Sequence, residues 1–482
     1  MKTIGRDFGD VARKVYATAS GTLPNGKPVV VNADGTVSVV AGADQAVGTS
    51  ATYFSSTLYV DSCIDTNSNR VVISYRDGLT AKGNAIVGTI DPSDNSISFG
   101  TPVVFNAGAT VDTNATFDSN SNKVVITYKG GSSSTYGTSI VGTVDPSDNS
   151  ISFGTPVVFA SVNITGGNVA CFDSSNNRIV IAHNISGGPQ KAVVGTVSGT
   201  GISYGTPVQY EASATSNTGT PRIDIVFDSN SNKVVIAFED AADSKKGKAV
   251  VGTVSNTAIS FGSTAVFHAA ATGVIRSCFD STANKVLVAY HDEGDSYKGK
   301  IVVGTVSSTS ISFGSEVVWD SGANTDAQST LGLIFDPTAN VTFLAASDYA
   351  GGYPWLGYFI LGTVSDTTIS FGSRTTFTGS SLLSYIPSPL YSLAAERISL
   401  TWNASSTGKN SVIQLASTTL TSENYIGMTP SAYPSGAGAE IDTKGAIANV
   451  PTEFYNLSSA SYDSKSFSTA SQDTTPEEIR FK

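Results

Sequence analysis

One short string returns every fifty-odd residues along this chain, and its spacing leaves few folds open. A hydrophobic residue, an Asp, a polar turn and a β-branched run read FDSNSNKVVITY at 117–128, FDSSNNRIVIAH at 172–183, FDSNSNKVVIAF at 227–238 and FDSTANKVLVAY at 279–290. Looser copies are CIDTNSNRVVISY from Cys63 and FDPTANVTFLAA from Phe335. The Asp falls at 65, 118, 173, 228, 280 and 336, in steps of 53, 55, 55, 52 and 56. A second string, ISFG or ISYG, puts its aromatic at Phe99, Phe153, Tyr204, Phe261, Phe313 and Phe371. A seventh unit, YSLAAERISLTW at 391–402, keeps the first string and has a decayed second one.

Each unit holds four strand-like runs and no helical period. In the second unit they are strand A (near Asp112 to Phe117), B (Lys123 to Tyr128), C (Ser139 to Val144) and D (Ile151 to Phe159). Short turns join them, so each unit is an antiparallel meander. Four strands over about 50 residues, seven times, predict an all-β fold: a seven-bladed β-propeller of four-stranded blades. Strand D carries Pro102, Pro156 and Pro207, with Thr264, Glu316 and Arg374 in the later slots, which suits an outer edge without ladder partners. Strand C carries Gly88, Gly142, Gly195, Gly252, Gly304 and Gly362, expected to let a neighbouring blade or backbone approach. Strand A is then innermost, its aromatic packing between blades.

The ring is expected over 48–427, with short β-rich extensions at both ends. Residues 1–47 read as an attachment segment plus a hairpin, KPVVVNADGTVSVV at 27–40, whose first strand resembles GTPVVF of strand D and is expected to complete the last blade. Residues 428–482 form a Gly/Ala/Ser-rich extension that stops in mid-strand, as the opening of another β unit would.

Charge narrows the function classes. The 39 acids outnumber the 28 bases, the net charge is −11, and no cluster of cations offers a surface for nucleic acid or anionic lipid. No run approaches the ~18–20 apolar residues of a membrane span. The first twenty residues lack the apolar stretch of a secretion signal.

Candidate chemistry is sparse. Cys63, Cys171 and Cys278 occupy one slot in alternate units, filled elsewhere by Thr116, Val226 and Ile334, and read as small core residues. The strings Asp65-x-Asn67-x-Asn69, Asp118-x-Asn120-x-Asn122 and Asp228-x-Asn230-x-Asn232 imitate a Ca²⁺ loop, but Arg70, Lys123 and Lys233 follow where a metal's neighbours belong. They are expected to be Asx-turns. His183, His268 and His291 lie in different units, His183 in a slot held elsewhere by Tyr75, Tyr128, Phe238 and Tyr290. Asp61, Asn114, Asp224 and Arg276 are placed to line the central channel. No nucleophile elbow, HExxH, P-loop, dinucleotide fingerprint or Asp-box occurs. The expectation is no catalytic residue, no metal site and no cofactor.

The turns divide by face. A–B and C–D turns repeat DSNSNK and DPSDNS, whereas B–C and D–A loops vary from KGGSSSTYGT to SDYAGGYPWLGYF. Aromatics gather in the varied loops, and Tyr136, Tyr297, Tyr349, Tyr353, Trp355 and Tyr358 are the candidate ligand-binding residues.

The opening TASGTLPNGKPVVVNADGTVSVV, the ISFGTPVVF repeats, SENYIGMTPSAYPSGAGAEIDTKGAI and SYDSKSFSTASQDTTPEEIRFK together resemble tail-fibre-like virion proteins of marine bacteriophages, cyanophages especially. That resemblance covers nearly the whole chain. It implies a non-enzymatic structural or host-adhesion protein of the virion, made in the host cytoplasm. Its implied partners are other virion proteins, through a chain terminus, and a host surface glycan or protein. The alternative is a carbohydrate-binding or carbohydrate-active propeller, lectin-like or glycosidase-like.

Overall fold

The structure is a computed structural model that describes residues 45–415 except 132–134, 214–221, 322–330, 349–355, 379–386 and 405, together with short strands nearer both ends. Every regular element among the described residues is a strand. Blade one shows the plan. Strand A (Thr57–Asp65) pairs with B (Arg70–Asp77), B with C (Lys82–Asp91), and C with D, which comes in two pieces at Ser96–Phe99 and from Val103. Gly100, Thr101 and Pro102 fill the break between the pieces. A proline there spoils no ladder bond, so D carries it at the outer edge as expected.

Seven such sheets close into a ring among the described residues. Each innermost strand A touches the next, and that of blade seven (Ser388–Ser392) touches that of blade one. Strand B is apolar at consecutive positions because both its faces are buried: Val71 packs towards blade seven and Val72 towards blade two. The core is accordingly seven inter-blade clusters. The aromatic before each Asp joins them, as Phe117 does between blades one and two and Phe172 between two and three.

A second aromatic set pins neighbouring blades. The ring ending strand D of one blade meets the strand-B aromatic and the ISFG aromatic of the next. Phe105 lies 5.3 Å from Tyr128 and 5.9 Å from Phe153, and Phe267 lies 5.2 Å from Tyr290 and 5.8 Å from Phe313. Tilted and edge-on pairs of this kind add roughly 0.5–1.5 kcal/mol each beyond their burial.

The strand-C glycines differ from expectation. The strand-C glycines make room within their own blade: a Cβ on Gly142 would sit 2.7 Å from Ile151 and 2.9 Å from Phe153, the paired residues of strand D. The neighbouring blade instead comes close at the glycine of ISFG. A Cβ on Gly100, Gly154, Gly205, Gly262 or Gly314 would fall 1.8–2.1 Å from a backbone oxygen in the next blade's C–D turn.

Ring closure also differs from expectation. The hairpin forms, with Val29 opposite Val39, but its first strand pairs with Tyr425–Met428 rather than with blade seven. Ala46–Val47 and Ala51–Phe54 supply the outer strand of blade seven, against Thr407–Gln414. Gly48 occupies the ISFG glycine slot: its amide donates to Val412 O at 2.8 Å, as Gly100 does to Val87 O at 2.9 Å. Tyr53 takes the terminal aromatic slot, 5.6 Å from Tyr75 and 5.9 Å from Phe99 of blade one. The second string of unit seven is therefore present, at the other end of the chain.

Ala46–Leu415 make one compact unit, and both chain ends make another. In the latter, Lys14–Thr18, Gly438–Asp442, Tyr425–Met428, Pro28–Val31 and Val37–Val39 form one sheet in that order, and an Ala19–Val37 bridge joins its two edges. The terminal strand Glu478–Phe481 pairs with Gly445–Ala448.

Candidate functional site

The inner edge of the ring is built from strand-A side chains. Asp61 Oδ2 accepts the Asn114 side-chain amide at 2.8 Å and the Ala115 backbone N–H at 2.9 Å, and its Oδ1 accepts the Ser388 hydroxyl at 2.9 Å. Asn114 Oδ1 accepts the Ala170 N–H at 2.9 Å; Asp224 Oδ2 accepts the Ser277 N–H at 2.5 Å and hydroxyl at 3.0 Å. Ser388 Oγ accepts the Ser62 N–H at 3.1 Å. At four junctions, then, one blade's side chain satisfies the next blade's otherwise unpaired inner amide. Between blades six and seven the slots hold Gly332 and Pro389, a residue without an acceptor facing one without a donor. These groups act as a backbone latch between blades.

Arg276 donates to Ile275 O at 2.8 Å, and its charge reaches both Asp61 and Asp224. Burial raises both carboxyls above their ordinary range; the latch hydrogen bonds and Arg276 oppose it without prevailing. A carboxyl raised on folding favours the folded state while protonated, and that contribution is lost as pH rises through its folded pKa. The Asp224→Asn variant, which copies Asn114, should therefore melt above the wild type at pH 7 and lose that advantage below about pH 4. Asp224→Ala orphans the Ser277 amide and should cost about 1–3 kcal/mol at either pH. Thermal melts across pH 3–8 decide it; an Asn variant that melts lower at neutral pH would disprove the account.

A second polar layer lies at the B–C end of strand B, in a slot holding Arg76, Lys129, Asn184, Glu239, His291, Ser347 and Asn403. Arg222 binds Glu239, Glu293 Oε1 at 2.5 Å and Thr272 O at 2.6 Å, bridging blades four and five with its own guanidinium 3% exposed. Asn403 exchanges two 2.9 Å hydrogen bonds with Thr57 of blade one. Lys129 pairs with Asp112 at 2.8 Å. Sequence reasoning passed over Arg222 and Glu239. The signal for Glu239 was a polar residue in all seven copies of its slot; Arg222 lies outside that slot, just before strand A of blade four.

The histidines are structural too. His183 packs on Phe159 at 5.4 Å, and burial pulls its pKa down to about 4. Burial does the same to His291, which lies 5.7 Å from Trp319. His268 bridges Glu316 at 2.7 Å and Asp292 at 3.2 Å, with Lys300 2.8 Å from Asp292 and 2.9 Å from Glu316. Burial would raise both carboxyls, but Lys300 and His268 hold them below the usual range. The three cysteines are buried free thiols, pushed well up by burial and the neighbouring carboxylates, which removes thiolate reactivity.

On the A–B and C–D face the Asp-x-Asn strings are Asx-turns. Asp65 Oδ1 accepts the Asn67 and Ser68 amides at 2.9 and 3.1 Å, and Asp118 and Asp228 repeat the pattern. Asn69, Asn122 and Asn232 then take left-handed φ near +55°. Where the cation after the turn is an arginine it clasps the next blade: Arg70 binds Asn149 Oδ1 at 2.8 Å and Pro146 O at 3.0 Å, and Arg397 binds Asn95 Oδ1 at 2.5 Å and Pro92 O at 2.8 Å across the closure. No group of three or more His, Cys, Asp or Glu able to hold a metal occurs among the described residues.

Of the six candidate aromatics, Tyr349, Tyr353 and Trp355 lie outside the described residues. Tyr358 is a core residue rather than a loop ring. It sits in strand C of blade six, 3% exposed, donating to Asp320 Oδ2 at 3.0 Å beneath the Arg374 guanidinium. Tyr297 is half-buried in a left-handed turn. Tyr136 is exposed, at the start of strand C of blade two.

No protein-family model matches the chain, and no curated protein matches it. Among solved structures, the Cps50 (Swd1) β-propeller domain of Myceliophteria thermophila aligns at a TM-score of 0.49 and 10% identity, over 77% of this chain and 99% of that one. The BP39L lectin from Burkholderia pseudomallei aligns at 0.53 and 10% identity, over 74% of this chain and 98% of the lectin. Seven closed four-stranded sheets and the likeness to the lectin's fold make this chain a β-propeller.

Proposed function

We propose that the chain is a non-enzymatic host-adhesion protein of a virion, held through its two ends and binding with its B–C and D–A face. The observation behind this reading is where the ring is entered and left. The chain arrives at Ala46 and departs after Leu415, both at the C–D position of blade seven. That face carries the same Asx-turn blade after blade, while the opposite loops differ in every blade. A scaffold tethered on its uniform face leaves its varied face free to bind. The inner polar residues support a non-catalytic reading, since their acceptors are occupied by backbone amides.

Antibody labelling of purified particles, together with attachment assays in the presence of soluble protein, tests the proposal. The protein should be found on particles, and micromolar soluble ring should reduce their attachment several-fold. Absence from particles with no effect on attachment would end the reading. Release of new reducing ends from host polysaccharide would favour a carbohydrate-active propeller instead.

A further inference from the structure

The B–C turns of blades four and five are built alike and held differently. They read DAADSKK at 240–246 and DEGDSYK at 292–298. In each, two successive residues take left-handed φ, Ser244 with Lys245 and Ser296 with Tyr297, and the opening Asp caps the turn. Asp240 Oδ1 accepts the Ala242 and Asp243 amides at 3.0 and 3.2 Å; Asp292 Oδ1 accepts the Gly294 amide at 2.9 Å. Each Asp also holds a lysine on Oδ2, Lys248 at 2.6 Å and Lys300 at 2.8 Å. The difference lies in what the preceding blade brings to the capping oxygen. In blade four it is the Ser213 hydroxyl, 2.5 Å away, a neutral donor. In blade five it is His268, 5% exposed, whose Nε2 lies 3.2 Å from Asp292 Oδ1.

The other ring nitrogen, Nδ1, is 2.7 Å from Glu316 Oε1, and Lys300 lies 2.9 Å from Glu316 Oε2. The Tyr290 ring is 4.9 Å from the imidazole, with its hydroxyl kept protonated by burial, and Gly247, opposite His268 in the register, brings no charge. Burial would raise Asp292 and Glu316, but Lys300 and His268 hold both low, so they stay ionised down to about pH 4. A neutral imidazole has one N–H and cannot donate to two carboxylates, whereas the imidazolium has two. Both contacts of the ring are therefore satisfied only in the protonated form. Once that proton leaves, a nitrogen lone pair faces the oxygen that caps the turn.

We infer that His268 is a pH-dependent clasp: its imidazolium holds the blade-five B–C turn of the binding face in order, and its neutral form releases that turn. The inference rests on the adhesion reading only in assigning this turn to the binding face. The device runs in one direction. Ordering is full below the titration of the imidazole, down to the acid range where Asp292 and Glu316 take up protons. It is lost as pH rises through that titration. Blade four, with a hydroxyl in the role of the imidazole, keeps its turn across the same range.

Hydrogen exchange of the full chain reads both turns at once, from about pH 5.5 to 9, a span that brackets imidazole titration. With rates corrected for intrinsic exchange, protection over 293–298 is expected to fall about fivefold or more on the alkaline side, while that over 241–246 stays constant. His268→Gln, which cannot take up a proton, should flatten the response. Asp292→Asn keeps an oxygen for the Gly294 amide and removes the carboxylate from Nε2, so it should flatten the response too, and it serves if the Gln variant does not fold. Constant protection of the blade-five turn, a fall shared equally by blade four, or a pH response that survives either variant would overturn the inference. Exchange is measured on free protein, so it decides the clasp whether or not the chain is found on particles.

Discussion

A chain shortened to begin after Phe54 is expected to lose cooperative melting and to become protease-sensitive throughout the ring. The truncation removes a whole outer strand from blade seven, not a dispensable arm. It uncovers Thr407–Gln414 and takes away Tyr53, 5% exposed between blades seven and one. Burial of an aromatic of this size is worth roughly 3 kcal/mol, and the lost ladder bonds and the Gly48 bond to Val412 add to it. Limited proteolysis and calorimetry read the outcome; a truncated chain that melted as sharply and as high as the parent would show that the ring closes without its amino-terminal strand. Supplying a peptide of residues 45–56 in trans should restore part of the protection.

The second large effect separates two glycines that look alike in sequence. Gly205→Ala would put a Cβ 1.9 Å from the Thr257 carbonyl oxygen of the next blade, and a backbone oxygen in a packed turn has nowhere to go. Overpacking of this kind costs about 3 kcal/mol or more. Gly372→Ala, at the same place in blade six, meets among the described residues only Leu361 O at 3.9 Å and should change stability by less than about 0.5 kcal/mol. The reason is topological. Blade seven has no continuous C–D turn to press on Gly372, because the chain leaves after Leu415 and returns at Ala46. Equal melting temperatures for the two variants would contradict that explanation.

Much of this architecture was legible in the sequence because the repeat exposes each slot several times. The landmark Asp could be placed as a turn-former because Arg or Lys follows it, and the bonds from Asp65, Asp118 and Asp228 to their own turn amides are what that pattern gives. The closing strand was misplaced for an equally physical reason. KPVVVN has the β-branched run of a strand D, whereas Ala46-Val47-Gly48 has no aromatic and barely a strand. The informative signal was spacing: an aromatic stands five residues after each ISFG glycine, as in Gly100 and Phe105, Gly262 and Phe267, Gly314 and Trp319, and Gly48 and Tyr53 share that interval. The site was less legible. Tyr358 counted as a loop ring because it follows a Gly- and Pro-rich stretch, yet its alternation with Phe359 along strand C turns both rings into cores, one on each side of the blade.

The place where the ring opens to the rest of the chain has a mechanical side. Strand C of blade seven and the incoming Ala46–Val47 run antiparallel with both leads at the same end, Gln414 opposite Ala46. Pulling those leads apart would peel the pair open one hydrogen bond at a time, the weakest direction in which a sheet can be loaded. Outside the ring, however, the same two segments meet again, Lys14–Thr18 against Gly438–Asp442 and Pro28–Val31 against Tyr425–Met428. These pairings take up tension between the two ends before it arrives at blade seven. A pull that separates the two ends must therefore open these pairings before it strips the closing strand.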